Sequence, residues 1–379
     1  MLPEGINEGD SWGGSRPRSA AGETNTNAPS LAEFDLETLA RLLNEWGFEA
    51  EHAPAILRRF YRGEDLMGPS SRRLPAALLK RLGDAYPGGG CVPVRRQCSA
   101  DGTTKLLLRM ADGRTVESVL MPGYRPDRAA GCISSQVGCA MACDFCATTR
   151  TGFERNLTAG EMVEQVLALR REASAAGRRL QTLVFMGMGE PMLNLDAVLA
   201  AARRIADPAL GGLGGRQITV STVGIVPGID ALTASGCPVQ LAVSLHAPDD
   251  GTRARLIPAG RRFPVSGILA AVDRFQERWG RPVTLQYCLL SGVNDSLVQA
   301  HALADLLGAR RVHVNLLRYN PTGLSLTGVR YAASSEDASE AFARALASRG
   351  VVAHFRRSRG PDIDAACGQL RARTELVSA

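Results

Sequence analysis

The chain has 379 residues, and 45% of them are hydrophobic, which is enough to bury a core over one large domain plus a smaller one. No apolar run reaches the roughly 18–20 residues that span a bilayer, and no basic stretch followed by an apolar block opens the chain. We therefore expect a cytoplasmic protein without a membrane segment. The net charge of +6 suits a polyanionic partner, but only Lys80 and Lys105 are lysines, and such an arginine bias also follows from genome base composition.

The N-terminal part of the chain divides into a tail and a helical region. Residues 1–30 are rich in Gly, Ser, Asn and Pro without a periodic apolar pattern, which predicts a disordered tail. Residues 31–90 are predicted to form a small helical domain, because apolar stripes at helical spacing recur three times. The stripes are Leu36, Leu39, Leu42 and Leu43; Ala55, Ile56, Leu57 and Phe60; and Leu74, Leu78, Leu79 and Leu82. A Pro-Gly-Gly-Gly stretch at 87–90 ends this region.

Residues 91–130 predict a β-hairpin extension, because Asp112-Gly113 separates two apolar runs at 103–110 and 115–121. From 131 to 356, short β-prone runs alternate with helical stretches in six βα units. This alternation predicts an α/β fold, an incomplete (β/α)6 barrel with functional residues at the carboxyl ends of its strands. The predicted strands are 132–137, 182–186, 217–222, 239–245, 283–290 and 312–317; a further run, 351–355, precedes a polar C-terminal segment, 357–379.

Nine cysteines are too few for a disulfide scaffold in a chain of this length, and their odd number argues against complete pairing. Three of them lie close together, with the spacing Cys139-x3-Cys143-x2-Cys146. Zinc sites usually take four ligands, and no nearby histidine completes a tetrahedron here. Three thiolates can instead hold a [4Fe–4S] cluster and leave one iron open to a substrate, which is a catalytic arrangement. A structural zinc site is the less favoured alternative.

The three-cysteine motif, with Phe145 before its last cysteine, resembles that of the radical S-adenosylmethionine (SAM) superfamily. The resemblance implies that the cysteines hold a [4Fe–4S] cluster whose open iron chelates SAM, and that an electron from the cluster cleaves SAM to a 5′-deoxyadenosyl radical. A second feature follows the next predicted strand, where Gly-Met-Gly-Glu-Pro at 187–191 resembles the segment that binds the SAM amino group. Gly189 and Glu190 are therefore implied to be SAM ligands.

Two further stretches narrow the resemblance to one family. Cys-Ile-Ser-Ser-Gln-Val-Gly-Cys at 132–139 and Arg-Gly-Pro-Asp-Ile-Asp-Ala-Ala-Cys-Gly-Gln-Leu at 359–370 resemble the RlmN/Cfr family of radical SAM RNA adenine methyltransferases. The resemblance extends from about residue 33 to residue 372 and is most specific from 132 onward. The stretches 289–295 and 319–323 depart somewhat from the typical RlmN sequence.

The chemistry implied by this resemblance accounts for two cysteines outside the cluster motif. Adenine C2 and C8 are not nucleophilic, so the family uses two SAM molecules per turnover. One SAM methylates a cysteine that matches Cys367, and the radical from the second takes a hydrogen from that S-methyl group. The resulting carbon radical adds to adenine, and a cysteine matching Cys132 then attacks the Cys367 sulfur and leaves a transient disulfide. A glutamate matching Glu117 is the general base for the ring proton, with a solvated strand carboxylate as the alternative.

Further SAM contacts are implied by position in the family. Besides the two residues of the Gly-Glu-Pro segment, they are Ser221, Ser244, Leu245, His246 and Asn320. All but the last lie at or just past a predicted strand end, where a barrel binds its ligand, although structural polar groups of turns are the alternative. The remaining cysteines match no functional position and are interpreted as packing residues; they are Cys91, Cys98, Cys237 and Cys288.

RNA is the partner that the resemblance implies. The predicted reaction is methylation at C2 of an adenine in 23S ribosomal RNA and, by resemblance to RlmN, of a tRNA adenine beside the anticodon. A Cfr-like C8 activity and a radical SAM reaction on a non-RNA substrate are the alternatives. A reductant such as flavodoxin or ferredoxin and a monomeric state complete the prediction. The arginine clusters that could contact phosphates are Arg58, Arg59 and Arg62; Arg72 and Arg73; and Arg356, Arg357 and Arg359.

Overall fold

The structure, a computed structural model, describes residues 30–66, 74–86 and 90–370. The predicted disordered tail lies outside these residues except for Ser30. Ser30 is buried, its hydroxyl accepts a hydrogen bond from the Ala32 backbone at 3.1 Å, and it donates to the Glu164 carboxylate. Including Ser30 in the tail was therefore wrong, because this residue caps a short helical turn that is packed against the body of the protein.

Three helices form the N-terminal region, as the three apolar stripes predicted. The first begins after Asp35, whose carboxylate accepts a hydrogen bond from the Thr38 backbone at 2.8 Å. Gly63, at a φ of 68°, ends the second in the left-handed conformation that glycine adopts without strain. The helices are α1 (Leu36–Glu45), α2 (Ala53–Arg62) and α3 (Ala76–Ala85).

Ten strands of the described residues form one sheet, and its first three are antiparallel. The predicted hairpin is confirmed, with Gly113 at a φ of 84° in its turn. The strand before this hairpin was not predicted, because its side chains are almost all exposed and show no apolar alternation. The antiparallel strands are β1 (Cys91–Cys98), β2 (Thr104–Met110) and β3 (Thr115–Pro122).

The other seven strands of this sheet are parallel and follow one another in sequence order, which confirms the predicted partial barrel. Their carboxyl ends therefore meet at one edge, where the predicted site residues lie. Five of the six predicted strands are present within three residues of their predicted bounds, and the last run adds another. The remaining strand was predicted too late in the chain, since β4 shares only Cys132 and Ile133 with the predicted range 132–137. They are β4 (Arg128–Ile133), β7 (Arg179–Phe185), β8 (Ile218–Thr222), β9 (Gln240–Ser244), β10 (Val283–Leu289), β11 (Val312–Arg318) and β12 (Val352–Phe355).

Helices connect and cover the parallel strands. Buried side chains of both layers form the core, for example Val163 and Val166 on the first of these helices. None of the helices in the described residues combines the length and the apolarity that a membrane crossing requires. The helices are α4 (Ala159–Ala175), α5 (Leu195–Ala206), α6 (Val226–Ala234), α7 (Asp250–Leu256), α8 (Val265–Trp279), α9 (Leu297–Leu307) and α10 (Glu336–Ala347).

A two-stranded antiparallel sheet stands apart from the main one, at the carboxyl end of β4. It consists of β5 (Gln136–Gly138) and β6 (Phe153–Asn156). The chain between these two strands contains the three closely spaced cysteines, so the small sheet holds both ends of the cysteine loop.

Candidate active site

The cysteine loop lies over a cavity at the carboxyl ends of the barrel strands, and Cys139, Cys143 and Cys146 all line this cavity. The backbone fixes the loop at both ends and in its middle. Cys139 donates its N–H to the Gly152 carbonyl at 2.9 Å, and Cys146 donates to Cys143 at 3.0 Å. Between them, the Asp144 N–H donates to the last residue of α7 at 2.9 Å. The three cysteines therefore line a common cavity, which we call the main cavity.

The three thiols fit an iron–sulfur cluster better than a single ion. No trio of His, Cys, Asp or Glu in the described part of the chain converges closely enough to hold one metal ion. A cube of four irons is larger, and its thiolate ligands surround it at wider spacing. Burial raises the pKa of the Cys139 thiol to about 12 and the pKa of Cys143 well above its usual value. The free thiols would thus keep their protons at neutral pH, and iron binding would release them.

Glu190 enters the main cavity from the turn after β7. Its backbone N–H donates to the Gln136 side chain at 2.8 Å. Its carboxylate accepts hydrogen bonds from the backbone N–H groups of Met192 at 3.0 Å and Val223 at 2.8 Å. Burial raises the pKa of this carboxyl to about 7 despite these bonds. Such a carboxylate is suited to an ammonium group, which would restore the charge balance of the buried site.

His246 follows β9 at a left-handed φ of 59°, an uncommon conformation for a residue other than glycine. Its Nδ1 accepts a hydrogen bond from the Cys288 backbone N–H at 2.9 Å. Burial, together with the nearby Arg253 charge, lowers the His246 pKa to about 3. The imidazole is therefore neutral with its proton on Nε2, which makes it a fixed hydrogen-bond donor.

The structure brings most of the predicted SAM residues together around the main cavity. Leu245 is the exception, because its side chain is fully buried and does not line the cavity. Its backbone N–H donates to the Gln286 carbonyl at 3.0 Å, so this residue fixes the end of β9 instead. The predicted residues that line the cavity are Gly189, Glu190, Ser221, Ser244, His246 and Asn320.

Sequence reasoning missed several cavity residues. Gln286 is buried, and its side-chain nitrogen has no hydrogen-bond partner among the described residues, so it is available to a ligand. Its position near the end of β10 was the available signal. Cys288 packs against the core, as expected, but it also lines the cavity. Cys98 is exposed, so its interpretation as a packing residue was wrong. Periodicity could not separate a cavity thiol from a core thiol, since both follow the same strand pattern.

Cys132 and Cys367 line a second, smaller cavity beside the main one, which we call the relay cavity. Cys367 is exposed and also lines the main cavity. Cys132 is buried in β4, and burial together with the nearby Cys367 sulfur raises its thiol pKa to about 12. The charge of Arg356, which lines both cavities, opposes this rise. Two cysteines distant in sequence thus meet beside the cluster cysteines.

The C-terminal segment reaches this position by docking on the cysteine loop. The backbone N–H of Ala147 donates to the Gly368 carbonyl at 2.7 Å, and the Thr148 hydroxyl donates to the Leu370 carbonyl at 2.6 Å. Both acceptors lie within three residues of Cys367. The cysteine loop and the Cys367 segment are therefore held as one assembly.

Glu117 lies in β3 and lines neither cavity. Its side chain is buried rather than solvated, and Oε1 lies 3.0 Å from Lys105 Nζ. Val119 and Met121 line the relay cavity and lie on the same face of β3, because successive residues of a strand alternate between faces. The alternative of a solvated strand carboxylate is thus excluded, whereas the role of Glu117 as base stays a prediction.

The arginine clusters differ in their relation to the cavities. Arg356, Arg357 and Arg359 line the relay cavity. Of the cluster on α2, Arg58 and Arg62 are exposed, while Arg72 and Arg73 lie outside the described residues. The run before Cys367 is therefore the cluster that adjoins the predicted chemistry.

Comparison with known proteins supports the same class. The sequence pattern of the radical SAM superfamily matches residues 133–304. A radical SAM methyltransferase from Sphaerobacter thermophilus is similar in structure, with a TM-score of 0.85 and 43% identity over 91% of this chain and 99% of that one. The partial barrel and its three-cysteine loop therefore define a radical SAM enzyme.

Curated relatives identify the family to which the chain belongs within the radical SAM class. A probable dual-specificity RNA methyltransferase RlmN 1 from Opitutus terrae is 67% identical over 92% of this chain and 99% of its own length. A probable dual-specificity RNA methyltransferase RlmN from Thermobifida fusca is 42% identical over 90% and 94%. The chain belongs to the RlmN family. As a radical SAM enzyme it uses a [4Fe–4S] cluster and SAM, for which the three cysteines and the polar groups of the main cavity are the fitting residues.

Proposed function

We propose that this enzyme methylates C2 of an adenine in 23S ribosomal RNA, and a tRNA adenine beside the anticodon, through an S-methylcysteine on Cys367. The observation that supports this most is the position of Cys367, which lines the main cavity with the cluster cysteines and the relay cavity with Cys132. Only a methyl group that travels on a protein sulfur needs a cysteine between these two places. The relatives are named as RNA methyltransferases, which supports RNA as the substrate.

The residues of the main cavity have distinct tasks in this proposal. A [4Fe–4S] cluster on the three cysteines would supply the single electron that cleaves SAM to a radical, and would take back the single electron that the adenine adduct radical loses when its ring becomes aromatic again. Glu190 holds the SAM amino group, and the neutral His246 donates a hydrogen bond from Nε2. Ser221, Ser244 and Asn320 fix the rest of SAM, and the low polarity of the cavity keeps water from the radical.

In this proposal, the residues at the relay cavity transfer the methyl group to adenine. Cys367 would first receive a methyl group from one SAM, and this S-methyl group would then lose a hydrogen atom to the radical chemistry that the cluster and a second SAM would supply. The carbon radical adds to the adenine ring, and Glu117 accepts the ring proton. Cys132 attacks the Cys367 sulfur as a thiolate, so that a disulfide forms and the carbon–sulfur bond breaks. The electron pair stays on the carbon, which takes up a proton and becomes the new methyl group.

RNA would approach over the relay cavity. Arg356 and Arg357 are placed for phosphate contacts that orient RNA without reading its sequence. The target adenine must leave its stack to reach Cys367. We propose the helical region 31–90 as an RNA-binding domain, 91–130 as an extension, 131–356 as the catalytic barrel and 357–379 as the segment that carries the methyl group. The enzyme would act as a cytoplasmic monomer with a reductant such as flavodoxin or ferredoxin.

Two cysteine variants test the relay. With reconstituted cluster, dithionite and RNA, we expect Cys367→Ala to lose methyladenosine formation while it still cleaves SAM to 5′-deoxyadenosine. We expect Cys132→Ala to accumulate a covalent protein–RNA adduct, visible by mass spectrometry. Cys98→Ala, which changes an exposed cysteine on β1, is the control and should behave as the wild type. Unimpaired methylation by Cys367→Ala would refute the relay.

The methylated atom needs its own experiment. Mass mapping of methyladenosine in ribosomal RNA and tRNA from strains with and without the gene should show loss of 2-methyladenosine. Loss of 8-methyladenosine instead would identify a Cfr-like enzyme. If no RNA modification changes, the substrate is not RNA.

A further inference from the structure

One of the two lysines of the chain is buried beside the proposed chemistry. Lys80 is exposed on α3, whereas the side chain of Lys105 in β2 is only 7% exposed. Lys105 stands opposite Val119 of β3, and Val119 stands opposite Cys132 of β4. Residues directly opposite each other in an antiparallel pair project from the same face. The ammonium group therefore shares a face of the sheet with the cysteine of the relay.

The ammonium group has two partners, the buried Glu117 and the half-buried Asp364. Its Nζ lies 3.0 Å from Glu117 Oε1 and donates a hydrogen bond to the Asp364 carbonyl oxygen at 3.1 Å. The Glu117 side chain is only 6% exposed. A lysine is seldom buried without a specific purpose, because its charge loses hydration that a single partner does not replace. One buried cation thus joins the proposed base to the segment that carries Cys367.

The segment around Asp364 has further contacts with the turn that joins β1 and β2. The Asp362 carboxylate accepts hydrogen bonds from the Ser99 hydroxyl at 2.6 Å and the Ala100 backbone at 3.2 Å. Gly360, at a φ of 60°, packs so closely on this β1–β2 turn that an added Cβ would lie 3.0 Å from a methyl group of Thr103. The turn between β1 and β2 therefore contacts the Cys367 segment at the surface, and Lys105 contacts it from the buried side.

We propose that Lys105 is a positioning residue that keeps the Glu117 carboxylate aligned and ties it to the Cys367 segment. The inference rests on the proposed function, since it assigns Lys105 to the step in which Glu117 removes the ring proton. That step and the attack of Cys132 on Cys367 must occur in the same covalent complex. A cation bonded to both Glu117 and the backbone three residues before Cys367 holds the base and the methyl carrier in register.

The substitution Lys105→Met tests this, because methionine keeps the length of the side chain and removes the charge. We expect SAM cleavage and S-methylation of Cys367 within about twofold of wild type, and methyladenosine formation lowered about 100-fold, the range of one misplaced general base. The protein–RNA adduct should accumulate, since it still carries the ring proton.

Three further variants separate alignment from folding. Lys105→Arg keeps the charge and should restore part of the methylation. Arg344→Met, which removes an exposed cation on α10 away from the proposed site, should leave every measured quantity unchanged. If Lys105→Met unfolds, the double variant with Glu117→Gln removes both buried charges and should fold, with the methylation rate of Glu117→Gln alone.

The outcomes distinguish this inference from the proposed function. Wild-type methylation by Lys105→Met, or an equal loss of SAM cleavage and methylation, would overturn the role of Lys105. If Glu117→Gln is inactive while Lys105→Met is active, only the link between them fails. If Glu117→Gln itself methylates normally, the proposed base is wrong, and the role of Lys105 falls with it.

Discussion

The guanidinium of Arg253 on α7 donates a hydrogen bond to the backbone carbonyl of Val223, the residue whose N–H binds the Glu190 carboxylate at 2.8 Å. Arg253 is only 1% exposed. Gly224 and Gly260 border its guanidinium so closely that a side chain at either position would crowd it. A buried cation thus supports the peptide that holds the proposed SAM carboxylate.

This support predicts that Arg253→Met weakens SAM binding. The Val223 carbonyl would lose its donor, and the peptide that orients Glu190 would no longer be fixed. We expect SAM affinity, measured by equilibrium dialysis, to fall about tenfold, which corresponds to about 1.4 kcal/mol. Urea unfolding should show a loss of about 1–3 kcal/mol for the unsatisfied buried groups. Arg255→Met, on the exposed side of the same helix, is the control; equal effects of the two variants would contradict the role assigned to Arg253.

Local sequence patterns were sufficient for the elements that this site is built on. The alternating β-prone runs predicted each parallel strand after β4, because a buried strand such as β9 needs a continuous apolar run wherever it occurs. The cysteine spacing identified the cluster loop, since its ligands come from eight consecutive residues. Both signals are contained in a short stretch of chain.

The arrangement around Cys367 could not be predicted in this way. Ser99 and Asp362 are 263 positions apart, and nothing in either stretch marks them as partners. Strand β1 was missed because its exposed side chains show no alternation. Gln286 follows the pattern of any strand residue, and only the fold reveals that its amide faces the main cavity. Contacts of this kind depend on the tertiary structure, which periodicity does not record.

The raised pKa of Glu190 predicts a pH-dependent stability of the protein without cluster and SAM. Burial raises the pKa from 4.5 to about 7, so between these values the folded state keeps a proton that the unfolded state has released. The contribution of Glu190 to stability should therefore fall as the pH rises from about 4.5 to 7, and level off above it. His246, whose pKa is lowered from 6.5 to about 3, contributes the opposite trend below pH 6.5, so the Glu190 contribution is the difference between wild type and Glu190→Gln. The loss is about 3 kcal/mol, since one pKa unit is worth about 1.4 kcal/mol.

Urea unfolding at pH 5, 6, 7 and 8 measures this change, with a reductant to keep the thiols free. Glu190→Gln should remove this contribution to the slope, because the amide does not titrate. Glu45→Gln, at an exposed position on α1, should keep it. An unchanged slope in Glu190→Gln would show that Glu190 is not the group responsible.

The hydrogen bonds of the Asp144 carboxylate anchor the cysteine loop, so we expect the loss of one of them to make the cluster less stable. It accepts hydrogen bonds from the Thr327 backbone at 3.0 Å, the Thr327 hydroxyl at 2.8 Å and the Tyr331 hydroxyl at 2.6 Å. Tyr331→Phe removes one of these bonds, and a hydrogen bond to a charged group contributes about 1.5–3 kcal/mol. We expect the reconstituted cluster to be lost in air roughly tenfold faster. The visible absorption of the cluster measures this loss. Tyr124→Phe, at a fully exposed tyrosine, should keep the wild-type rate, and equal rates in both variants would contradict the prediction.

Gly138 immediately precedes the first cluster cysteine, and its backbone leaves no room for a side chain. Its φ is 74°, and an added Cβ would collide with the Gly152 carbonyl, the group that accepts the Cys139 hydrogen bond. Gly138→Ala therefore combines backbone strain with displacement of the loop. We expect it to lower the free energy of unfolding by about 3–5 kcal/mol, and to prevent reconstitution of the cluster.

Gly152→Ala is the matched control, because Gly152 has a similar φ of 72° and nothing lies within 4 Å of an added Cβ. Its ψ of −169° places Gly152 in a backbone region that is essentially restricted to glycine, so Gly152→Ala should cost about 1–3 kcal/mol of backbone strain but should still accept iron and sulfide. Urea unfolding and the iron content after anaerobic reconstitution measure both variants. If Gly138→Ala binds as much iron as Gly152→Ala, the close approach of Gly138 to the Gly152 carbonyl does not determine the position of Cys139, and the loop can form its site from a different backbone path.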